Sequence, residues 1–261
     1  MRSLNIGATG MLAQQLNVEV ISHNIANMNT TAYQRRRAEF QDLLYQNQRR
    51  VGAASSDAGT IVPVGVQVGL GVKTAAVYRI NEPGNLTLTE NTLDMAINGP
   101  GYFQIEMPNG DTAYTRAGSF QLSNDGTIVT ADGYTVQPGI TIPQNAVDIT
   151  VNSSGEVLAT IDGQVAQQNV GQLELANFAN DAGLLAVGDN LYKETDASGA
   201  PTTAAPATDG FGTLQQGFLE TSNVNVVEEV TNLITAQRAY EMNSKVIETS
   251  DQMMSQLNNI R

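Results

Sequence analysis

Apolar residues recur every seven positions at both ends of the chain and every two positions through part of its middle. Near the start the series is Leu4, Met11, Val18 and Ile25; near the end it is Val226, Leu233, Tyr240, Ile247 and Met254. A heptad step keeps side chains on one face of an α-helix and lets that face follow a second helix. The pattern predicts one helix from about Leu4 to Met28 and a longer one from about Val226 to Ile260, with these nine residues as an assembly face. The two stripes pair most simply with each other or with copies in other subunits. The second is narrow. A row of Ala239, Val246, Met253 and Ile260 widens it on one side, but Val230 is followed by Gln237, Ser244 and Asp251 on the other. So little apolar width makes order in this helix depend on packing against other chains.

Local chemistry marks the helix ends. Gly7 and Gly10 each weaken the first turns by about 1 kcal/mol relative to Ala, so the start is expected to fray. Asn24, Asn27 and Asn29 followed by Thr30-Thr31 are helix-ending residues, because Asn tolerates the left-handed conformation and both types bond back to the backbone. At the second helix Ser222 or Asn223 is placed to cap the start, with Glu228 and Glu229 near the positive end of the dipole.

Between the helices the period changes. Residues 33–50 read as a short helical or extended connector with Phe40, Leu43, Leu44 and Tyr45 as its apolar side, and residues 52–60 have loop composition. Val64, Val66, Val68, Leu70 and Val72 alternate with polar residues and glycines, as a strand does. Those glycines lie within the alternation rather than between a strand and a helix, which argues against a phosphate-binding loop. From about Val72 to Leu219 the chain reads as short strands joined by tight turns at Asn109-Gly110, Asp125-Gly126, Asp132-Gly133 and Asp162-Gly163. Asp125 and Asp132 lack the alternating acids and final Glu of a calcium loop. Residues 195–210, rich in Ala, Thr and Pro, read as an exposed loop. The expected fold is α+β: N- and C-terminal helices forming a coiled-coil-like assembly domain, with a central, mainly antiparallel β domain. Its expected segments are an assembly helix in 1–35, a connector in 36–71, the β domain in 72–218 and a second assembly helix in 219–261.

Charge and composition narrow the function. The net charge of −13 is uneven: residues 1–50 hold six Arg against three acids, whereas residues 51–220 hold four basic and eighteen acidic residues. An acidic middle repels phosphate backbones, which argues against nucleic acid as a partner. The basic run Arg35-Arg36-Arg37 with Arg49 and Arg50 is the exception, and it suits acidic side chains on a neighbour. Without Cys there is no disulfide, thiolate metal site or cysteine nucleophile, and His23 is the sole histidine with no activated nucleophile in sight. No catalytic, cofactor or metal site is expected. Acids such as Asp94 and Asp111 offer an enzyme reading only through an arbitrary pairing. No secretory leader is visible after Arg2, and no run approaches the roughly 20 apolar residues of a membrane span, so no membrane insertion is expected.

Several stretches resemble one known group. Asn24-Ile-Ala-Asn-Met-Asn-Thr-Thr-Ala-Tyr33, Leu93-Asp-Met-Ala-Ile-Asn-Gly-Pro-Gly-Tyr-Phe103, Tyr114-Thr-Arg-Ala-Gly-Ser-Phe120, Gly217-Phe-Leu-Glu-Thr-Ser-Asn-Val-Asn-Val-Val-Glu-Glu-Val230 and Ala236-Gln-Arg-Ala-Tyr-Glu-Met-Asn-Ser-Lys245 are similar to segments of the bacterial flagellar axial proteins. Phe40-Gln-Asp-Leu-Leu-Tyr45, the loop behind it and the alternating strand resemble the distal-rod branch of that family. The resemblance implies a subunit exported through the flagellar type III apparatus that polymerises into a hollow rod, its terminal helices forming an inner tube. It further implies contacts with proximal-rod and hook proteins and with the surrounding basal-body rings. Asn24, Asn27, Asn29 and Tyr33 carry the family's N-terminal motif, and residues 46–63, with Arg49 and Arg50, are expected to stiffen the rod. Ala32 departs from the usual Gly, so a positive φ there implies strain.

Overall fold

Both heptad segments are helical in the computed structural model, which describes residues 2–49, 64–163 and 166–259. The first helix, α1, spans Arg2–Ala26 and the last, α2, spans Val226–Asn259. Everything between them is β-strand, turn or a single 3-10 turn among the described residues, so the fold is α+β with terminal helices. The chain divides into two units: residues 1–26, 36–78 and 225–261 form one, and residues 27–35 and 79–224 form the other.

In the helical unit α1 and α2 run antiparallel. A Cβ added at Gly7 would lie 2.9 Å from Ile247 Cγ1, and one at Gly10 would lie 2.9 Å from Asn243 Nδ2. The two glycines that looked like weak points are therefore close-approach positions, where a missing side chain lets α2 in. Two small antiparallel ladders complete this unit. Arg36–Asp42 pairs with Val72–Arg79, and Tyr45–Arg49 pairs with Val66–Gly69. The connector is thus extended, and the alternating run after Val64 is two strands rather than one. Gly71, at φ 128°, breaks it and passes its carbonyl to the Leu43 N–H at 2.8 Å.

The β unit is built on a nine-stranded antiparallel sheet. Its order is Leu185–Gly188, Leu191–Lys193, Thr112–Thr115, Tyr102–Glu106, Thr135–Val136, Ile128–Val129 and Gln121–Leu122, with Leu175–Asn177 and Thr202–Ala204 branching from Tyr102–Glu106. A three-stranded sheet of Ala146–Val151, Glu156–Ile161 and Gln168–Gln172 accompanies it. The four dipeptides Asn109-Gly110, Asp125-Gly126, Asp132-Gly133 and Asp162-Gly163 are turns with the glycine near φ +80° to +85°. Both sheets, with the ladder of Met95–Asn98 and Thr213–Gln216, contribute to a closed core of Met95, Ile97, Phe103, Ile105, Phe120 and their neighbours. A second cluster stacks Tyr102, Tyr114, Phe178 and Tyr192 edge to face, with Tyr114 and Phe178 centroids 4.8 Å apart.

The stretch 195–210 is not simply an exposed loop. Thr202–Ala204 forms a strand against Leu175–Asn177, Ser198 is buried and Pro206 is among the fully buried side chains. Composition misled here because Pro206 packs where Gly155 has no side chain; a Cβ there would lie 2.8 Å from the Pro206 ring.

Candidate assembly surface

The heptad residues of α1, Leu4, Met11, Val18 and Ile25, are all half-buried. On α2, Leu233, Ile247 and Met254 are half-buried, whereas Val226 and Tyr240 remain exposed. The residues that α2 buries most deeply lie three positions on from the stripe, at Glu229, Ala236 and Ser250, with Asn243 half-buried in the same row. Together the two rows make the 4–3 spacing of a helix seam. One row is aliphatic or aromatic and the other small or polar, so apolar periodicity marks only half of the seam. Ser250 meets its hydroxyl requirement locally by donating to the Val246 carbonyl at 2.7 Å.

Further apolar side chains of α2 lie outside the seam. Val227, Val230, Ile234, Met242, Val246 and Met253 are all exposed. Leu12 on α1, Tyr45 and Val66 on the small ladders, and Leu44 between their strands are exposed too. Solitary exposed hydrophobics are ordinary on protein surfaces, but a concentration along one helix makes it a candidate interaction surface.

The cap of α2 falls at Asn225, whose side-chain oxygen accepts from the Val227 and Glu228 N–H groups at 3.1 and 3.4 Å. Asn223 is occupied elsewhere. Its Oδ1 accepts from the Arg35 N–H at 2.7 Å, and its Nδ2 donates to the Ile80 and Glu82 carbonyls at 3.0 and 2.8 Å. One amide thus ties three chain segments of the β unit that lie beside passages into the helical unit.

The N-terminal motif is likewise structural. Asn24, buried at the end of α1, donates to the Arg36 carbonyl and accepts from the Arg36 N–H, both at 2.8 Å. That pair of hydrogen bonds fixes the first strand beside the helix. Asn27 accepts through its side chain from the Thr30 hydroxyl at 3.1 Å, Asn29 lies in the same turn, and Tyr33 is buried with its carbonyl accepting from the Asn223 N–H. Ala32 is buried at φ +54°, and its N–H donates to the Glu220 carbonyl at 2.8 Å.

Glu220 also belongs to a buried ion pair. Arg116 Nε donates to Glu220 Oε2 at 2.9 Å, and the rest of its guanidinium donates to the carbonyls of Gly99, Gly101 and Ile97. The other carboxylate oxygen accepts from the Gly84 N–H at 3.0 Å. Nearby, Arg79 Nη2 donates to the Asp181 carbonyl and its guanidinium stacks 4.0 Å over the Tyr192 ring. Burial raises the Asp181 carboxyl above its ordinary pKa against the pull of Arg79 and Arg116, and burial lifts Tyr102 to about 12. The acids weighed as a catalytic pair do separate work. Asp94 accepts from Thr89 and Asn91, whereas Asp111 is held below its usual range by Lys193, which donates to it at 2.6 Å. Among the described residues no group of acids or His is placed to hold a metal ion. No described helix is long and apolar enough to cross a membrane. Arg49 is exposed at the end of its strand, whereas Arg50 and most of 46–63 lie outside the described residues.

Family comparisons fall on these same segments. The flagellar basal body rod profile matches residues 4–34, the flagellar hook protein FlgE/F/G D1 domain matches 96–159, and the FlgEFG C-terminal profile matches 215–260. They define a class, the axial subunits of flagellar rod and hook, which are structural proteins rather than enzymes. The flagellar basal-body rod protein FlgG of Caulobacter vibrioides is 62% identical over 261 residues, the full length of both chains. FlgG of Agrobacterium fabrum is 55% identical over 98% of this chain and 97% of its own. The flagellar hook-basal body complex protein FlhP of Bacillus subtilis, also matched end to end, is 30% identical. The chain belongs to the FlgG family of flagellar basal-body rod proteins.

Proposed function

We propose that this chain is the repeating subunit of the distal rod, a hollow helical drive shaft that carries torque from motor to hook across the periplasm. The observation that carries the reading is the apolar surface left on α2 after α1 has packed against it, in a chain whose β unit closes its own core. Such a subunit has a reason to meet copies of itself along its helices and none to do so through its β core. Its neighbours at the two ends are the proximal-rod and hook proteins, and basal-body rings surround it. Export proceeds through the flagellar type III apparatus with the N-terminus left uncleaved. The lumen is lined by the helical units, and residues 46–63, including Arg49 and Arg50, stiffen contacts between subunits.

Electron microscopy of basal bodies from a deletion strain tests the reading directly. Rods cut short before the hook, restored by the wild-type gene, are expected together with loss of swimming. Complete rods in the deletion strain would overturn it. Mass spectrometry of the subunit taken from assembled rods is expected to find residues 2–15 intact, and a shortened N-terminus would refute uncleaved export.

A further inference from the structure

The exposed apolar residues of α2 are divided by height and by side. Relative to the seam that faces α1, Val227, Val230 and Ile234 lie on one flank in the first third of the helix, with Val227 76% exposed. Met242, Val246 and Met253 lie on the opposite flank in the lower half, with Met242 63% and Met253 58% exposed. Where the first flank continues downward it becomes acidic, at Glu241, Glu248 and Asp251. Where the second continues upward it is polar, at Glu228, Asn232 and Thr235. The two patches are centred about 17 residues apart, which at 1.5 Å per residue is roughly 25 Å along the axis.

We infer that the upper patch of one copy docks on the lower patch of a neighbouring copy, and that this pairing sets the axial step between lateral neighbours. The inference rests on the proposed self-assembly and adds its register. Two parallel helices side by side without an axial step would set Val227, Val230 and Ile234 against Glu228, Asn232 and Thr235. They would also set three acids against Met242, Val246 and Met253. That arrangement leaves both apolar patches facing polar groups. Its compensation is ion pairing between exposed acids and Arg238 or Lys245, which contributes little in water. A step of about 25 Å instead brings apolar against apolar at every junction, where area removed from water supplies the driving force. Because each copy uses two different patches displaced along the axis, the contact is heterologous and does not close. The product is an open helix.

The absence of native cysteine makes the register readable by disulfide trapping. In rods isolated under mild oxidation, Val230→Cys with Val246→Cys is expected to give a ladder of cross-linked multimers. Val230→Cys with Asn232→Cys, which reports the unstepped register, is expected to stay monomeric on denaturing gels. Within one helix neither pair can close on itself, the first because it is about 24 Å apart and the second because it faces opposite flanks. A ladder from the second pair alone, or from neither pair in rods of normal length, would overturn the register while leaving self-assembly intact. Should the substitutions prevent rod formation, image reconstruction of wild-type rods decides. Lateral neighbours of α2 stepped by about 25 Å support the pairing, and neighbours level with each other refute it. A wild-type chain absent from isolated rods would overturn both the assembly reading and the register.

Discussion

The two units differ in where they keep their apolar surface and their charge. The β unit buries Phe103, Phe120, Met95, Ile97 and Ile105 almost completely. Over its residues the sequence carries four basic and seventeen acidic side chains. Of those cations, Arg116 and Lys193 are paired within the unit with Glu220 and Asp111, and Arg79 donates to the Asp181 backbone carbonyl. The helical unit has nine basic and nine acidic residues and exposes Val227, Met242 and Met253. A closed core with an acidic surface favours mutual repulsion of copies, while a neutral helix pair with apolar flanks suits the proposed association. In the proposed assembly, folding and association are thereby carried by different parts of one chain.

The expected consequence is that substitutions separate cleanly by unit. The largest effect falls on the β unit. Glu220→Ala strips the buried Arg116 of its counter-charge and the Gly84 N–H of its acceptor, and should cost about 3–5 kcal/mol. Denaturant unfolding followed by near-ultraviolet circular dichroism from the tyrosine cluster measures it. A loss below about 1 kcal/mol would mean that the ion pair is not what holds that corner.

Gly7→Leu should act on the other unit alone. Even its Cβ would lie 2.9 Å from Ile247 Cγ1, and overpacking of this kind costs about 1–3 kcal/mol. Rod assembly and swimming should fail while the unfolding midpoint of the β unit is unchanged. A shift of both would show that the two units do not separate energetically.

A smaller and opposite effect is expected at Ala32. Its φ of +54° is strained by about 1–2 kcal/mol for a residue with a Cβ, and Gly removes that strain while adding about 0.4–1 kcal/mol of unfolded-state entropy. Ala32→Gly should therefore stabilise the β unit by up to about 1 kcal/mol, and a measurable loss of stability would show that the buried methyl outweighs the backbone.

The smallest effect concerns pH. Asp181 has a folded-state pKa raised by burial, so the native state holds its proton more tightly than the unfolded chain does. Its contribution is most favourable below the ordinary carboxylate pKa and declines as pH rises through the raised value. Asp181→Asn should gain melting temperature relative to wild type as pH increases across that window. A difference that is flat with pH, or that shrinks, would contradict the assigned direction.

The α+β order, the two helices and the tight turns were legible because each is a local property. A heptad step specifies a helical face wherever it occurs, and Asn-Gly or Asp-Gly supplies a positive φ without help from distant residues. The family resemblance was equally available, because it rests on contiguous residues. Tertiary structure alone decided that α1 and α2 pack on each other, and that Gly7 and Gly10 are contact points rather than frayed turns. It also decided that Glu229, Ala236, Asn243 and Ser250 form the other half of the seam, although none reads as a hydrophobic knob. Asn223 has the chemistry of a helix cap, but its three bonds reach Arg35, Ile80 and Glu82, more than 140 positions away. Arg116 and Glu220 are 104 positions apart, and neither residue marks the other in the sequence. Period and turn chemistry act over a few residues and can be read along the chain. Which small or polar side chain is buried depends on the surface that meets it, and that surface comes from elsewhere in the fold.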